Sequence, residues 1–333
     1  MLPSPVSFTK RRLFHRNATP SHRKLNLLDV LLSRARVTNL GLLVLASLAV
    51  VSLLCNLFYL LPTSKDQYHG HSSGLISTIA HSASTHGLTH LIVVPGHAIW
   101  KGVDPELRLR EDQWILEPYQ RGVGRVSAFF AHILRGAELA REDEHSLLIF
   151  SGGQTRPTST TTEAESYMRL AVVANVFQTS TPFIRATTED HALDSFQNLL
   201  FSIARFHEYT GRYPTRITVV GYEFKRARFT DLHRAALRWP LDSFRYIGVD
   251  PNTEHSMAAE QGERENGFLP YTMDMYGCHS FLLSKRRQRN RYVRFHSYYT
   301  SSPRLRNLFD WCPRELDEGG MLLYQGDLPW DQR

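Results

Sequence analysis

The sequence predicts an α/β fold: a Rossmann-like three-layer α/β/α sandwich with a mainly parallel sheet, preceded by one N-terminal transmembrane helix. Three observations predict it. Short apolar runs alternate with longer segments of helical periodicity, polar residues and glycines gather just after those runs, and one uncharged apolar stretch lies near the N-terminus.

The apolar stretch, Leu40 to Leu61, contains no charged residue. As a helix its 22 residues reach roughly 33 Å, enough for a hydrocarbon core of about 30 Å. The bland alternative, a buried core helix, rarely runs so long without a charge on any face. A cleaved signal peptide fits poorly, because the segment before the run is too long and no small-x-small site precedes Pro62.

The first 39 residues hold eight Lys or Arg and one acid, Asp29, a net +7 that equals the formal charge of the whole chain. The positive-inside rule therefore puts this tail in the cytosol. Everything after about residue 63 then faces a secretory-pathway lumen (ER or Golgi) or the exterior, as in a single-pass type II signal anchor. The rest of the chain is neutral, so the pI of 9.4 does not indicate nucleic acid, and the partner it implies is a lipid bilayer. Cys55 lies in the span. Cys278 and Cys312 remain as an even pair, disulfide-bonded or free. The one glycosylation sequon, at Asn17, falls on the cytosolic side.

Pro62 to Thr89 reads as a stalk with a helical stretch near Leu75 to Ala83. Strands are expected at Leu91–Val94, Leu147–Phe150, Phe183–Ala186, Arg216–Val220 and Phe244–Val249. Helices are expected at Val123–Arg141, Glu163–Phe177, Ala192–Tyr209 and Phe229–Trp239. In the first helix Val126, Phe129, Ile133 and Ala137 form the apolar stripe, with His132 and Arg135 off it. Residues 97–122 form a long loop bearing Trp100, Trp114 and Tyr119. Asp274 to Ser284 reads as a closing helix, Lys285 to Arg294 as a basic run on a solvated face or against anionic lipid, and Ser301 to Arg333 as an irregular tail. The resulting divisions are a basic tail (1–39), a span (40–61), a stalk (62–89), an α/β domain (90–284), and the basic run with its tail (285–333).

In such a fold the ligand lies outside the carboxyl ends of the strands. The polar set just after the strands comprises Gly96 and His97, Ser151-Gly152-Gly153, Glu189, and Gly221 with Glu223, Lys225 and Arg226. The glycines after the second strand could turn backbone N–H groups toward a phosphate or carboxylate, or simply make a tight strand exit. Thr162 and Glu165 have the spacing of a capping box, so Glu163 is either a site residue or a complement to the helix dipole. Ser195 and Asn198 lie one turn apart near a helix start, facing the same strand ends. His97 could carry a proton at a strand end, and His233 could contribute from its helix, although a lone histidine is more often structural. No zinc spacing and no Gly-x-Ser-x-Gly elbow occurs, so no metal is expected.

Taken in order, Ser151-Gly152-Gly153, Glu163-Ala164, Glu189 with Ser195 and Asn198, Val219-Val220-Gly221 and Arg226-Ala227 resemble the domain of unknown function 218 family. The likeness covers about residues 88–250 and extends to the longer fungal-type form through Trp114–Gln120 and Glu223–Arg226. It departs from the family at His97, which stands where a second glycine is usual. A Ser-x-x-Thr-x-x-Asn stretch is reduced to Ser195 and Asn198, and a His-x-x-Arg-Ala motif meets Glu223 unless His233-Arg234-Ala235 takes that part. The resemblance implies a Rossmann-like fold, a single-helix anchor, and a pocket for S-adenosylmethionine or another nucleotide-like ligand. It brings no established reaction.

The function expected from these residues is an enzyme-like domain, a hydrolase or transferase, that binds a small anionic ligand. Lys225, Arg226 and the Ser151–Gly153 nest would hold the anion, with His97, Glu163 and Glu189 as acid, base or ribose contacts. The competing expectation is a non-catalytic tethered module, motivated by the Trp-bearing loop and the aromatic tail. The sequence identifies no protein partner.

Overall fold

The computed structural model describes residues 34–60, 76–122, 124–250, 257–314 and 322–331. The basic tail up to residue 33, Asn17 and the stalk up to residue 75 lie outside the described residues. The chain divides into two compact units, Met1–His71 and Ser72–Arg333.

In the first unit, α1 (Arg34–Leu60) contains Leu40–Leu57, a stretch long and apolar enough to cross a membrane. Leu42, Leu45 and Leu53 are exposed, so this helix has no protein core of its own. Its polar side chains turn back on the helix: Ser47 Oγ donates to Leu43 O and Asn56 Nδ2 to Ser52 O, each at 2.8 Å. Internal satisfaction of this kind is what an apolar surrounding demands.

The second unit is built on a five-stranded sheet, every neighbouring pair parallel, in the order β5-β4-β1-β6-β7. The strands are β1 (His90–Pro95), β4 (Ser146–Ser151), β5 (Ala186–Glu189), β6 (Arg216–Gly221) and β7 (Phe244–Gly248). Every residue of β1 and β4 is buried, because both sheet faces are covered. Successive side chains enter opposite cores: Leu91 and Val93 join one cluster, Ile92 and Val94 the other. Helices α2 (Arg125–Glu142) and α3 (Glu163–Val173) cover one face, and α4 (Ser195–Thr210) the other. The chain runs from β1 outward through β4 to β5, then crosses back to place β6 on the other side of β1. That reversal is a topological switch point, where adjacent loops part and leave a crevice.

Several expectations change. The edge strand lies at Ala186–Glu189, three residues beyond the predicted Phe183–Ala186. Its Thr187 and Thr188 give it no apolar signature, while Phe183 stacks on Phe177 at 4.7 Å in the preceding connection. His132 is fully buried in α2, its Nε2 paired with Val249 O at 2.7 Å. The long loop contains a small antiparallel ladder, β2 (Ile99–Trp100) with β3 (Trp114–Ile115), and buries both tryptophans. The tail is likewise no loose appendage: Trp330 packs 4.8 Å from Trp239 in the core. With Trp100, Trp114 and Trp330 inside, the surface aromatics that motivated a docking module are largely spent on folding. The expected stalk helix is reduced to short turns at Ile76–Thr78 and Ala83–Thr85.

Beyond β7 the sequence pattern was weak, yet the structure has α5 (Met257–Glu263), a π-helical turn at Arg264–Phe268, α6 (Leu269–Met273) and α7 (Ser280–Arg289). The closing helix therefore starts at Ser280 and runs into the basic segment. Asp274 instead caps the approach, its carboxylate accepting from the N–H groups of Cys278 at 3.1 Å and His279 at 2.8 Å. Cys278 and Cys312 are disulfide-bonded across 34 residues of chain. A loop of that length lowers unfolded-chain entropy by about 4 kcal/mol in the chain-entropy model.

Candidate functional site

A cavity of about 730 Å³ opens at the carboxyl ends of the strands, beside the switch point. Its wall contains Gly96 and His97 after β1, Tyr222, Phe224 and Lys225 after β6, the start of α3 and α4, and the α5–α7 segment. Six cationic side chains line it (Arg125, Arg156, Lys225, Arg228, Lys285 and Arg289), against three carboxylates, Glu163, Asp194 and Glu263. Two of its walls are π-helical turns, Arg228–His233 and Arg264–Phe268, which supply Arg228, Phe229, Asn266 and Gly267. Such turns are rare and recur at functional sites, since the extra residue per turn re-aims side chains.

His97 leaves β1 with its N–H donated to Tyr167 Oη (3.2 Å), while its carbonyl accepts from Gln120 Nε2 and Arg156 Nη2, each at 2.9 Å. Its ring stacks on Tyr222, 5.3 Å between centroids, and its Nδ1 lies 3.4 Å from Lys225 Nζ. Burial, with Lys225 nearby, holds the imidazole well below its ordinary pKa, so it is neutral. Its Nε2 is buried without a hydrogen-bond partner among the described residues.

Lys225 ends a tight turn at Glu223–Lys225 directly after β6. Burial first, then Arg228, pushes its ammonium down to about 7. Among the described residues no carboxylate lies within ion-pair distance of it, whereas Arg228 has Glu263 at 3.0 Å. Lys285, from α7, is pushed down to about 8 by partial burial and donates to Asn266 O at 2.9 Å. Arg289 donates to Leu193 O at 2.7 Å, and Arg286 is buried against Asp194. The predicted solvated face is thus a cavity wall on one side.

Glu163 is the first residue of α3, whose cap Thr162 accepts from Glu165 N at 2.9 Å. Its side chain lies over the loops after β1 and β4, accepting from Thr155 Oγ1 at 2.6 Å, with Arg156 at 3.8 Å. Gly96 and Gly152 are glycines for this reason: a Cβ on either would come within 2.6 or 2.9 Å of Glu163 Cβ.

The expected anion nest at Ser151-Gly152-Gly153 does not form. Gly152 N–H donates to Glu189 O at 3.0 Å and Gly153 N–H to Ala192 O at 2.7 Å, so neither faces a ligand. Ser151 Oγ points inward between Glu189 Oε2 (2.8 Å) and Asn198 Oδ1 (3.0 Å). Glu189 is the last residue of β5, paired in register with Ser151, and is fully buried outside the cavity wall. Its carboxylate accepts from the N–H groups of His191 (2.8 Å) and Ala192 (3.2 Å), and from Tyr298 Oη (3.2 Å). Burial raises it to about 7 despite these donors.

The other candidates separate in the same way. Ser195 and Asn198 line the cavity; His233 stands fully buried behind it, bonded to Ser195 Oγ at 2.8 Å. Gly221 is held in the sheet beneath Tyr246 Oη, and Glu223 and Arg226 pair with each other on the outer side. Arg226 also donates to Tyr246 O at 2.9 Å, so its guanidinium is engaged outside the cavity wall. Sequence reasoning missed Arg125, Arg156, Arg228, Glu263, Lys285 and Tyr271. Arg228, three residues beyond Lys225, was the one with a readable signal.

The chain is similar to the uncharacterized protein YOR238W of Saccharomyces cerevisiae, 28% identical over 270 residues that cover 66% of this chain and 87% of the yeast protein. No family model matches the chain. No solved structure matches it.

Proposed function

We propose that this protein is a membrane-anchored α/β domain of the domain of unknown function 218 type, in its fungal form. We further propose that it binds a phosphate-bearing, nucleotide-like ligand in the cavity at the strand ends. The observation that carries this reading is Lys225, a half-buried cation in a wall of six, with no carboxylate within ion-pair distance among the described residues. A cation so placed costs folding energy unless something else compensates it, and an anionic ligand does. Arg125, Arg156 and Arg228 line the same space, and the neutral His97 offers beside them an Nε2 that has no partner among the described residues. Glu163 and His97 are the proton-carrying pair the cavity provides; Glu189, outside the wall, supports the loop instead. Excess positive charge repels a sulfonium, which favours phosphate esters over S-adenosylmethionine.

The test is thermal denaturation of the full chain in detergent with inorganic phosphate, nucleotides and S-adenosylmethionine. Phosphate or a nucleotide raises the melting temperature, and Lys225→Met removes that rise. A shift retained in Lys225→Met, or none with any polyanion, overturns the reading.

The anchor is proposed as an uncleaved type II signal anchor, with the domain in a secretory-pathway lumen or at the exterior. The neutral domain and the net +7 of the tail support it. Protease added to sealed membranes should cut the tail and spare the domain; digestion of the domain in intact vesicles reverses the topology.

A further inference from the structure

We propose that Ser195 is a nucleophile activated by His233, and that the domain hydrolyses an acyl ester whose anionic group the cavity's cations hold. This rests on the anion-binding reading and adds a reaction to it.

Ser195 is the first residue of α4, a 16-residue helix, and is one of the residues that line the cavity. The preceding Asp194 caps the helix by accepting from Gln197 N at 2.9 Å, and Arg286 pins it from behind. Ser195 is thereby held with its Oγ 2.8 Å from His233 Nε2. His233 arrives from the opposite wall, at the end of the π-helical turn Arg228–His233. Bonding from i to i+5 brings residues five apart toward one side, so the turn that sends Arg228 into the cavity also sends His233 to Ser195.

The imidazole is fully buried, braced edge-on by Tyr271 at 4.5 Å and Phe229 at 5.2 Å. Its Nδ1 has no hydrogen-bond partner among the described residues, so its one hydrogen bond is to Ser195. Burial keeps it neutral, which is the state a general base requires. Aromatic packing takes the orienting role that a third polar group fills elsewhere. Asn198 stands one turn further along α4 with its Oδ1 occupied by Ser151 Oγ, leaving its amide donors for the cavity. Asp194 already takes the N–H groups of Gln197 and Asn198, so the side-chain amide donors of Asn198 and the N–H groups of Ser195 and Phe196 are what the helix start offers an oxyanion. Asp194, next to Ser195, disfavours a doubly charged phosphoryl group there, so an uncharged carbonyl is the centre attacked.

In the first step Ser195 Oγ bonds to the carbonyl carbon and His233 Nε2 takes the hydroxyl proton. The tetrahedral oxyanion collapses, the ester C–O bond breaks, and His233 returns the proton to the leaving alkoxide. Water then adds to the acyl-serine, giving one proton to His233; the Ser195–acyl bond breaks and that proton restores the hydroxyl. The products are a carboxylic acid and an alcohol, with water as the co-reactant.

The probe is a fluorophosphonate, applied to the full chain in detergent and read by peptide mass spectrometry. Attack forms an Oγ–P bond, breaks P–F and releases fluoride, with the proton passing to His233. The expected result is an adduct on Ser195 that inorganic phosphate in excess suppresses and that forms about a hundredfold more slowly in His233→Gln. No adduct on Ser195 in the wild-type chain, or an unchanged rate in a folded His233→Gln, overturns the proposal. The wild-type adduct site decides the matter alone if that variant does not fold. Thermal shifts with phosphate on the same sample separate the two readings. If phosphate stabilises the protein while Ser195 stays unlabelled, only the nucleophile falls; if phosphate has no effect, the anion site falls.

Discussion

The two halves of the sheet end carry similar polar residues and use them in opposite ways. At β4 and β5, Ser151 and Glu189 meet across the ladder and Tyr298, from near the C-terminus, closes over them. The carboxylate has four donors, is fully buried, and lies outside the cavity wall. At β1 and β6, His97 and Lys225 lie 3.4 Å apart on the cavity wall, and among the described residues His97 Nε2 has no hydrogen-bond partner and Lys225 no carboxylate within ion-pair distance. The difference is coverage. A polar residue following a strand belongs to a site only where no distant segment has already used it, and satisfied donors mark scaffolding while compensated charge is still missing from the other half.

The largest expected effect tests the closed half. Glu189→Ala strips the acceptors from Ser151 Oγ, Tyr298 Oη and the N–H groups of His191 and Ala192, and should lower unfolding free energy by about 3 kcal/mol. The phosphate-induced thermal shift, measured on the destabilised protein, should survive. Its loss would place Glu189 in the site and erase the contrast between the halves.

The next effect tests the open half with the opposite signature. Lys225→Met should weaken phosphate binding by about a hundredfold, within the range for removing a buried partner of a charge pair. The same variant should melt higher than the wild type without ligand, by the equivalent of about 1 kcal/mol, because a desolvated cation is replaced by an isosteric apolar chain. Calorimetric titration and denaturant unfolding measure the two terms separately. A variant that is both weaker-binding and less stable would make Lys225 a scaffold residue like Glu189.

Periodicity sufficed for α2, β1, β4 and β6, since Val126, Phe129 and Ile133 or Leu147 to Phe150 are apolar wherever they are buried. It failed at β5, where an edge strand of Ala-Thr-Thr-Glu has a half-exposed threonine on each face, and the three-residue error moved Glu189 from the ladder into a loop. That slip made a scaffold carboxylate look catalytic. It failed again over 257–273, where Gly262, Gly267 and Pro270 interrupt any helical pattern and two α segments are joined by a π turn. The cavity's cations were illegible for another reason. Arg125, Arg156 and Lys285 acquire meaning from convergence across 160 residues of chain, and no local pattern records that. The Cys278–Cys312 bond stood as one of two readings because spacing alone does not encode proximity.

The smallest effect is a pH dependence that the two halves should show in different observables. Desolvation pushes the Lys225 ammonium down to about 7, with Arg228 and Arg125 lowering it further and Glu263 and Glu163 opposing them. An anion bound beside it favours the ammonium, so its pKa in the complex is higher than in the free protein and binding takes up a proton between the two values. Below pH 7 the lysine is already charged and affinity is level. Above pH 7 affinity falls, approaching tenfold per pH unit, about 1.4 kcal/mol, until the pKa of the complex is passed. Glu189 works on stability instead. Its folded pKa of about 7 lies above the ordinary 4.5, so the native state holds the proton more tightly and unfolding free energy declines as pH rises from 4.5 to 7. Calorimetry of the binding of sulfate, whose charge is constant from pH 6 to 9, in buffers of different ionisation enthalpy reads the first, and denaturant unfolding at pH 5 and 8, with and without Glu189→Gln, reads the second. Proton uptake that persists in Lys225→Met would move the titrating group elsewhere in the cavity, and a pH slope in unfolding that persists in Glu189→Gln would do the same for the closed half.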